Sequence, residues 1–182
     1  TSGTAVFRLA GGSLPRVTAP KDLPGDQIAA LLVDRSGGLW VGTPQGIGRL
    51  RNGRWEKLST DDGLPGNDVT TLLETADGSL WVGTRSGLAV FQEEKRRPGD
   101  NQEGRFASLT ERDGLRSEAI AALFQDVEGS VWVGTEVGGL VRLRDTTFTN
   151  LEHLGVRGGI WSIVEDRAGT LWIGTNEHGL LR

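Results

Sequence analysis

The sequence contains no cysteine, no methionine and no tyrosine. Without cysteine there is no disulfide, no thiolate zinc site and no cysteine nucleophile, and the redox compartment stays open. Without methionine there is no initiator, so the chain is expected to be a piece of a longer protein or an engineered product. Lysine is scarce as well: of 20 basic residues, only Lys21, Lys57 and Lys95 are lysine. The arginines are scattered, and 24 acidic residues leave a net charge of -4. Nucleic-acid binding needs a concentrated basic face, so no nucleic-acid partner is expected. No apolar run approaches the roughly 20 residues of a membrane-spanning helix. No targeting signal is legible at Thr1.

Glycine is abundant, at 28 of 182 residues, because it recurs at fixed places in a repeat. Leu39-Trp40-Val41-Gly42-Thr43 returns as Leu80-Trp81-Val82-Gly83-Thr84, Val131-Trp132-Val133-Gly134-Thr135 and Leu171-Trp172-Ile173-Gly174-Thr175. Three residues before each tryptophan stands Gly37, Gly78, Gly129 or Gly169, and six before stands Asp34, Thr75, Asp126 or Asp166. Upstream of these lies a short apolar run, beginning at Ile28, Val69, Ile120 and Ile160. One unit is longer by a charged stretch, 93–100, which reads as a solvated hairpin tip.

Each unit holds four short extended segments, and no stretch keeps the 3.6-residue helical period over three turns. The first two segments flank a turn whose glycine supplies a positive φ. A third begins near Gly46, Leu88, Leu140 and Gly179, and a fourth is led by Trp55, Phe106 or Phe148. Four antiparallel strands in 40 to 50 residues make a propeller blade, which buries its faces only by stacking on neighbours. The fold class is therefore all-β: a β-propeller of four-stranded antiparallel blades, four repeats plus a partial one, with residues 1–182 as a single domain. The partial unit is expected from a third strand at 5–9 and a fourth at 14–17.

The pattern Asp-x-x-Gly-x-Leu-Trp-Val-Gly-Thr, followed by x-x-Gly-Leu and an Asp-Gly-Leu-Pro segment, resembles the two-component regulator propeller repeat. Two copies depart from it: Asp113-Gly114-Leu115-Arg116 lacks the proline, and the last copy has His153-Leu154-Gly155-Val156 instead. The resemblance implies a sensor region of a bacterial hybrid histidine kinase, hence an extracytoplasmic (periplasmic) setting. It carries no ligand identity.

Strand alternation puts Trp and Gly of each core segment on one face and Leu and Val on the other. Trp40, Gly42, Trp81, Gly83, Trp132, Gly134, Trp172 and Gly174 are therefore read as blade-to-blade packing. The first strand of each blade should line the axis, where space is scarce, and its small residues (Ala29-Ala30, Thr70-Thr71, Ala121-Ala122) agree. Blade count leaves three arrangements open: a four-bladed ring with a displaced end strand, two chains sharing a ring of about eight blades, or a segment of a longer propeller. Unpaired edges favour association, so another copy of the chain is an expected partner.

Ligand contacts should sit where the copies disagree, on loops joining the second to the third strand and the fourth to the first. Those positions are Gln45, Asp68, Arg85, Glu136, Asn176 and His178. Trp161 joins them, since its counterparts are Ala29, Thr70 and Ala121; it either stacks on a planar ligand such as a sugar ring or fills a packing gap. Catalytic patterns are poor. His153 and His178 lack metal-ligand spacing, no Gly-x-Ser-x-Gly elbow occurs, and Asp61-Asp62 are merely adjacent. Among propeller enzymes, lyases that use a His, an acid and a metal are nearest, and only His178 with Glu177 or Glu136 approaches that set. No cofactor, metal site or catalytic residue is expected. The leading expectation is a non-catalytic ligand-sensing module, for a small molecule such as an oligosaccharide; the alternative is an architectural propeller segment.

Overall fold

A computed structural model of the chain describes residues 6, 20–92, 105–115, 117–144, 147–151 and 158–182. The expected strands at 5–9 and 14–17, the charged tip at 93–100 and His153 lie outside the described residues, apart from Val6.

The described residues form four antiparallel sheets, each made of strands consecutive in the chain. Blade 1 contains β1 (Ala30–Val33), β2 (Leu39–Thr43), β3 (Gly46–Arg51) and β4 (Arg54–Leu58). Blade 2 contains β5 (Val69–Glu74), β6 (Leu80–Thr84), β7 (Gly87–Gln92) and β8 (Arg105–Leu109). Blade 3 contains β9 (Ile120–Gln125), β10 (Val131–Thr135), β11 (Leu140–Arg144) and β12 (Thr147–Asn150). Blade 4 has three strands: β13 (Ile160–Glu165), β14 (Leu171–Thr175) and β15 (Leu180–Leu181). The all-β propeller reading holds. The inner strands β1, β5, β9 and β13 pack on one another in that order, and among the described residues the sheets do not close into a ring.

The repeat's fixed residues each have a local cause. Gly37, Gly78, Gly129 and Gly169 adopt φ of 81 to 87°, the left-handed conformation the first hairpin needs. Asp34 Oδ2 accepts the Trp40 indole N–H at 2.7 Å, and the pairs Asp126–Trp132 and Asp166–Trp172 repeat this at 2.7 and 2.8 Å. The Asp six residues before the Trp thus ties the turn to the ring. Blade 2 has Thr75 there; its hydroxyl donates to Asp77 Oδ1 at 2.6 Å, and Asp77 also accepts from Ser79 N. The Asp of each Asp-Gly-Leu segment ends a single 3-10 turn, Thr60–Asp62 or Glu111–Asp113, and the Gly caps it in the left-handed conformation. Asp62 and Asp113 accept the backbone N–H of Ser59 and Thr110 at 2.9 and 2.8 Å, while Leu64 and Leu115 are buried.

Packing between blades follows one rule. A Cβ added at Gly42 would come within 2.6 Å of Val69 Cγ1, and at Gly83 or Gly134 within 2.7 Å of Ile120 or Ile160 Cγ2. The bare backbone of each second strand therefore seats the first aliphatic residue of the next blade. Around this contact lie three apolar clusters, one at each of the seams 1–2, 2–3 and 3–4. Trp40 and Trp132 are buried as blade-to-blade core, Trp81 packs in the second cluster, and Trp172, on the last blade, is only half-buried.

Candidate functional site

The loop face is shaped by the threonine that ends each second strand. Thr43, Thr84, Thr135 and Thr175 donate their hydroxyls to the carbonyls of Gly46, Gly87, Gly139 and Gly179 at 2.9 to 3.0 Å, closing the turn from within. The residue after the threonine then reaches back to the residue just before the first strand of its own blade. Arg85 N donates to Asp68 O at 3.0 Å, Glu136 N to Ala119 O at 2.9 Å and Asn176 N to Gly159 O at 3.0 Å. The counterpart in blade 1 is Pro44, which has no N–H to give. Gln45 therefore sits one residue beyond the position equivalent to Arg85, Glu136 and Asn176. The Gln45 side chain lies against Gly25 in the loop before β1.

Three of the expected residues come together. Arg85 Nε meets Asp68 Oδ2 at 3.0 Å, and Arg85 Nη1 donates to Glu136 Oε1 across the seam between blades 2 and 3. All three are partly exposed, so one guanidinium held by two carboxylates is presented to solvent. On the next seam, Asn176 Oδ1 accepts Gly159 N at 2.9 Å. A Cβ at Gly159 would lie 2.6 Å from Glu136 O, so its lack of a side chain lets the third blade's turn approach the fourth blade. His178 is anchored through its backbone, N–H to Thr175 Oγ1 at 2.9 Å, with an exposed side chain. No described hydrogen bond joins the side chains of Gln45, Trp161 or His178 to the Arg85 cluster.

Trp161 is the extra residue of a β-bulge: Ile160 pairs with Thr175 and Ser162 with Gly174, leaving Trp161 unmatched. Thr70 and Ala121 occupy the same bulge in blades 2 and 3. In blade 2 the bulge residue Thr70 reaches the following blade, donating its hydroxyl to Ile120 O at 2.6 Å. At this position Trp161 is 55% exposed.

Sequence reasoning missed a second polar region, on the face formed by the first hairpins. A crevice of about 580 Å³ between blades 1 and 2 is lined by Asp34, Arg35, Trp40, Arg49, Glu74 and Asp77, among others. The Arg49 guanidinium is buried, 4.5 Å from the centroid of Trp40 and 5.1 Å from that of Phe91. Its signal was in the register, since Arg49 is the cross-strand partner of Trp40 and Arg142 that of Trp132. The acids of this crevice serve the fold. Glu74 accepts Arg35 N at 3.0 Å, and Asp34 accepts Gly38 N at 2.8 Å as well as the Trp40 indole. Burial pushes the Asp34 carboxyl up, but Ser36, Trp40 and Gly38 outweigh it and hold it below the ordinary carboxylate value.

Among the described residues no three His, Asp or Glu side chains are placed to hold a metal ion, and no helix is long and apolar enough to cross a membrane.

Comparison with solved structures returns propellers. The chain superposes on the extracellular domain of the hybrid two-component system BT3049 from B. thetaiotaomicron with a TM-score of 0.76 at 19% identity. The match covers 98% of this chain and 24% of that one. The corresponding domain of BT4673 from the same organism gives 0.73 at 20% identity, covering 94% and 27%. Virginiamycin B lyase from Staphylococcus aureus gives 0.58 at 15% identity, covering 85% and 54%. The chain thus spans about a quarter of the two extracellular domains, and identities this low establish the fold alone. No curated protein sequence matches. The profile of the two component regulator propeller matches residues 22–45, 63–86, 114–137 and 156–177, together just over half of the chain. Each matched stretch runs from the loop before an inner strand through the Trp-x-Gly-Thr segment, the part whose geometry is described above. The chain belongs to the two-component regulator propeller family.

Proposed function

We propose that the chain is part of a non-catalytic sensing or recognition propeller that works outside the cytoplasm and binds a small polar ligand, such as an oligosaccharide, on its loop face. The observation that carries this reading is the cluster of Asp68, Arg85 and Glu136. These residues differ from their counterparts in the other blades, yet the fold gathers them at one solvent-facing seam. A guanidinium flanked by two carboxylates offers donors and acceptors side by side, which suits vicinal hydroxyls. Asn176 and His178 extend the same face toward blade 4, and Trp161 supplies an aromatic surface near the axis. Family membership supports the sensory context. Both carboxylates are committed to Arg85, which favours recognition over acid–base chemistry. The test is a thermal-shift screen against a panel of oligosaccharides, because a ligand that binds only the folded state raises its stability. A sugar that raises the melting temperature of the parent but not of Arg85→Ala supports the reading. An unshifted melting temperature across the panel, or an undiminished shift in Arg85→Ala, overturns it.

A second reading, an architectural propeller segment with no small-molecule ligand, is favoured by the apolar residues exposed on the two terminal blades: Leu31, Val33, Trp161, Val164 and Leu180.

A further inference from the structure

The three seams of this arc share two devices that the fourth blade has in unmatched form. The first is the glycine seat. Gly42, Gly83 and Gly134 receive Val69, Ile120 and Ile160 of the following blade, whereas among the described residues the atoms nearest a Cβ at Gly174 belong to Ser162 of its own blade. The residue paired with each glycine on the third strand is buried at the seams: Ile47, Leu88 and Leu140. Its counterpart Leu180, paired with Gly174, is 66% exposed. Val164, paired with Trp172, is likewise exposed, while Leu32, Leu73 and Phe124 at that place pack into the seam clusters.

The second device is a side-chain clamp on the first hairpin. The backbone N–H groups of Arg35, Ala76 and Val127 donate to Glu74, Gln125 and Glu165 of the next blade, at 3.0, 2.6 and 3.0 Å. In each next blade the clamp residue stands five positions after the aliphatic that fills the glycine seat. Arg167 N is the fourth such donor, and no described group accepts from it.

We infer that the open face of blade 4, with Gly174, Leu180, Val164 and Arg167 N–H, is a docking surface for one further blade of the same repeat. That blade carries Val or Ile at the start of its inner strand and Glu or Gln five residues on. Blade 1 of a second copy does not meet this description. It offers Ile28 for the seat, but Val33 stands at the clamp position, 67% exposed. Docking it would cover the Arg167 N–H with an isopropyl group, leaving a buried donor unmet. The outer part of that face of blade 1 is also occupied already, by Val6 against Leu23 and Val41.

The test lengthens the chain by its own sequence: a second copy of residues 143–182, one full 40-residue period, is joined after Arg182, which supplies Ile160 and Glu165 again as seat and clamp residues. Amide hydrogen exchange is followed at Arg167, with mass measured by light scattering. A monomeric parent with fast exchange at Arg167, slowed roughly ten-fold or more in the lengthened chain, is the expected result. Replacing the added glutamate by alanine should remove that protection while the added blade's own strand amides stay protected. A parent that dimerises and protects Arg167 by itself makes the second copy the occupant and overturns the proposal. So does a lengthened chain, folded or not, in which Arg167 stays unprotected.

Discussion

The Trp132 indole N–H donates to Asp126 Oδ2 at 2.7 Å, and the same carboxylate accepts Ser130 N through Oδ1 at 2.8 Å. One side chain therefore closes the hairpin turn and orients the ring that fills the seam to blade 4. Truncating it leaves the half-buried indole N–H without its acceptor. Asp126→Ala should destabilise the fold by about 1–2 kcal/mol, read from urea denaturation followed by tryptophan fluorescence. An unchanged midpoint would remove the aspartate from the repeat's structural set.

Blade 2 solves the same turn with Thr75 and Asp77 in place of the Asp34 and Ser36 of blade 1. Thr75→Asp alone places two carboxylates in one tight turn, whereas Thr75→Asp with Asp77→Ser reproduces blade 1. The double variant should be more stable than Thr75→Asp, with a favourable coupling of about 1 kcal/mol in a double-mutant cycle. Additive effects would refute the equivalence of the two turns.

Three turn carboxylates are held below their ordinary value. In Asp34 the hydrogen bonds from Ser36, Trp40 and Gly38 outweigh the upward push of burial; in Asp77 the Thr75 hydroxyl leads, and in Asp166 the Trp172 indole. A folded-state value below the unfolded one adds stability above the unfolded value, about 4, which is lost as pH falls through the lowered folded value. The melting temperature should therefore stay flat from neutral pH to about 5 and drop below about 4. A fall between pH 7 and 5 would point to other groups.

Gly134 and Gly174 occupy equivalent places with unequal neighbours. A Cβ at Gly134 meets Ile160 Cβ at 2.8 Å and Ile160 O at 3.2 Å, while at Gly174 it meets mainly a serine hydroxyl that can rotate away. Gly134→Ala should cost about 1–3 kcal/mol through overpacking of the seam, and Gly174→Ala distinctly less. Equal losses would show that the glycine serves its own blade and not the next.

Arg85→Ala should change stability by no more than about 1 kcal/mol, since the charges it joins are partly exposed. Trp161→Ala separates the two readings of that residue. Loss of sugar binding at unchanged stability supports stacking, and undiminished binding sinks it.

Much of the fold was legible because a residue repeated in every unit serves the unit. The alternation of Trp40-Val41-Gly42 assigns opposite faces before any coordinate is seen, and the turn glycine at Gly37 announces its positive φ. The recurrent Asp34 was visible too, but its bond to an indole was not, because it depends on how the hairpin bends six residues back on itself. Arg49 was less legible still. A lone arginine in a strand looks solvent-facing until the register sets it opposite Trp40 and the next blade brings Phe91 over it.

Sequence by itself determined the blade: strand order, turn type, and which face of each strand is apolar all follow from local spacing. Tertiary structure alone decided how blades meet. Asp68, Arg85 and Glu136 stand 17 and 51 positions apart in the chain, and only the stacking of blades 2 and 3 makes them one cluster. The clamp of Glu74 on Arg35 N and the exposure of Leu180 are likewise properties of a seam, present or open. Period and alternation encode contacts within a unit, whereas contacts between units depend on the rotation from one blade to the next, which no single repeat contains.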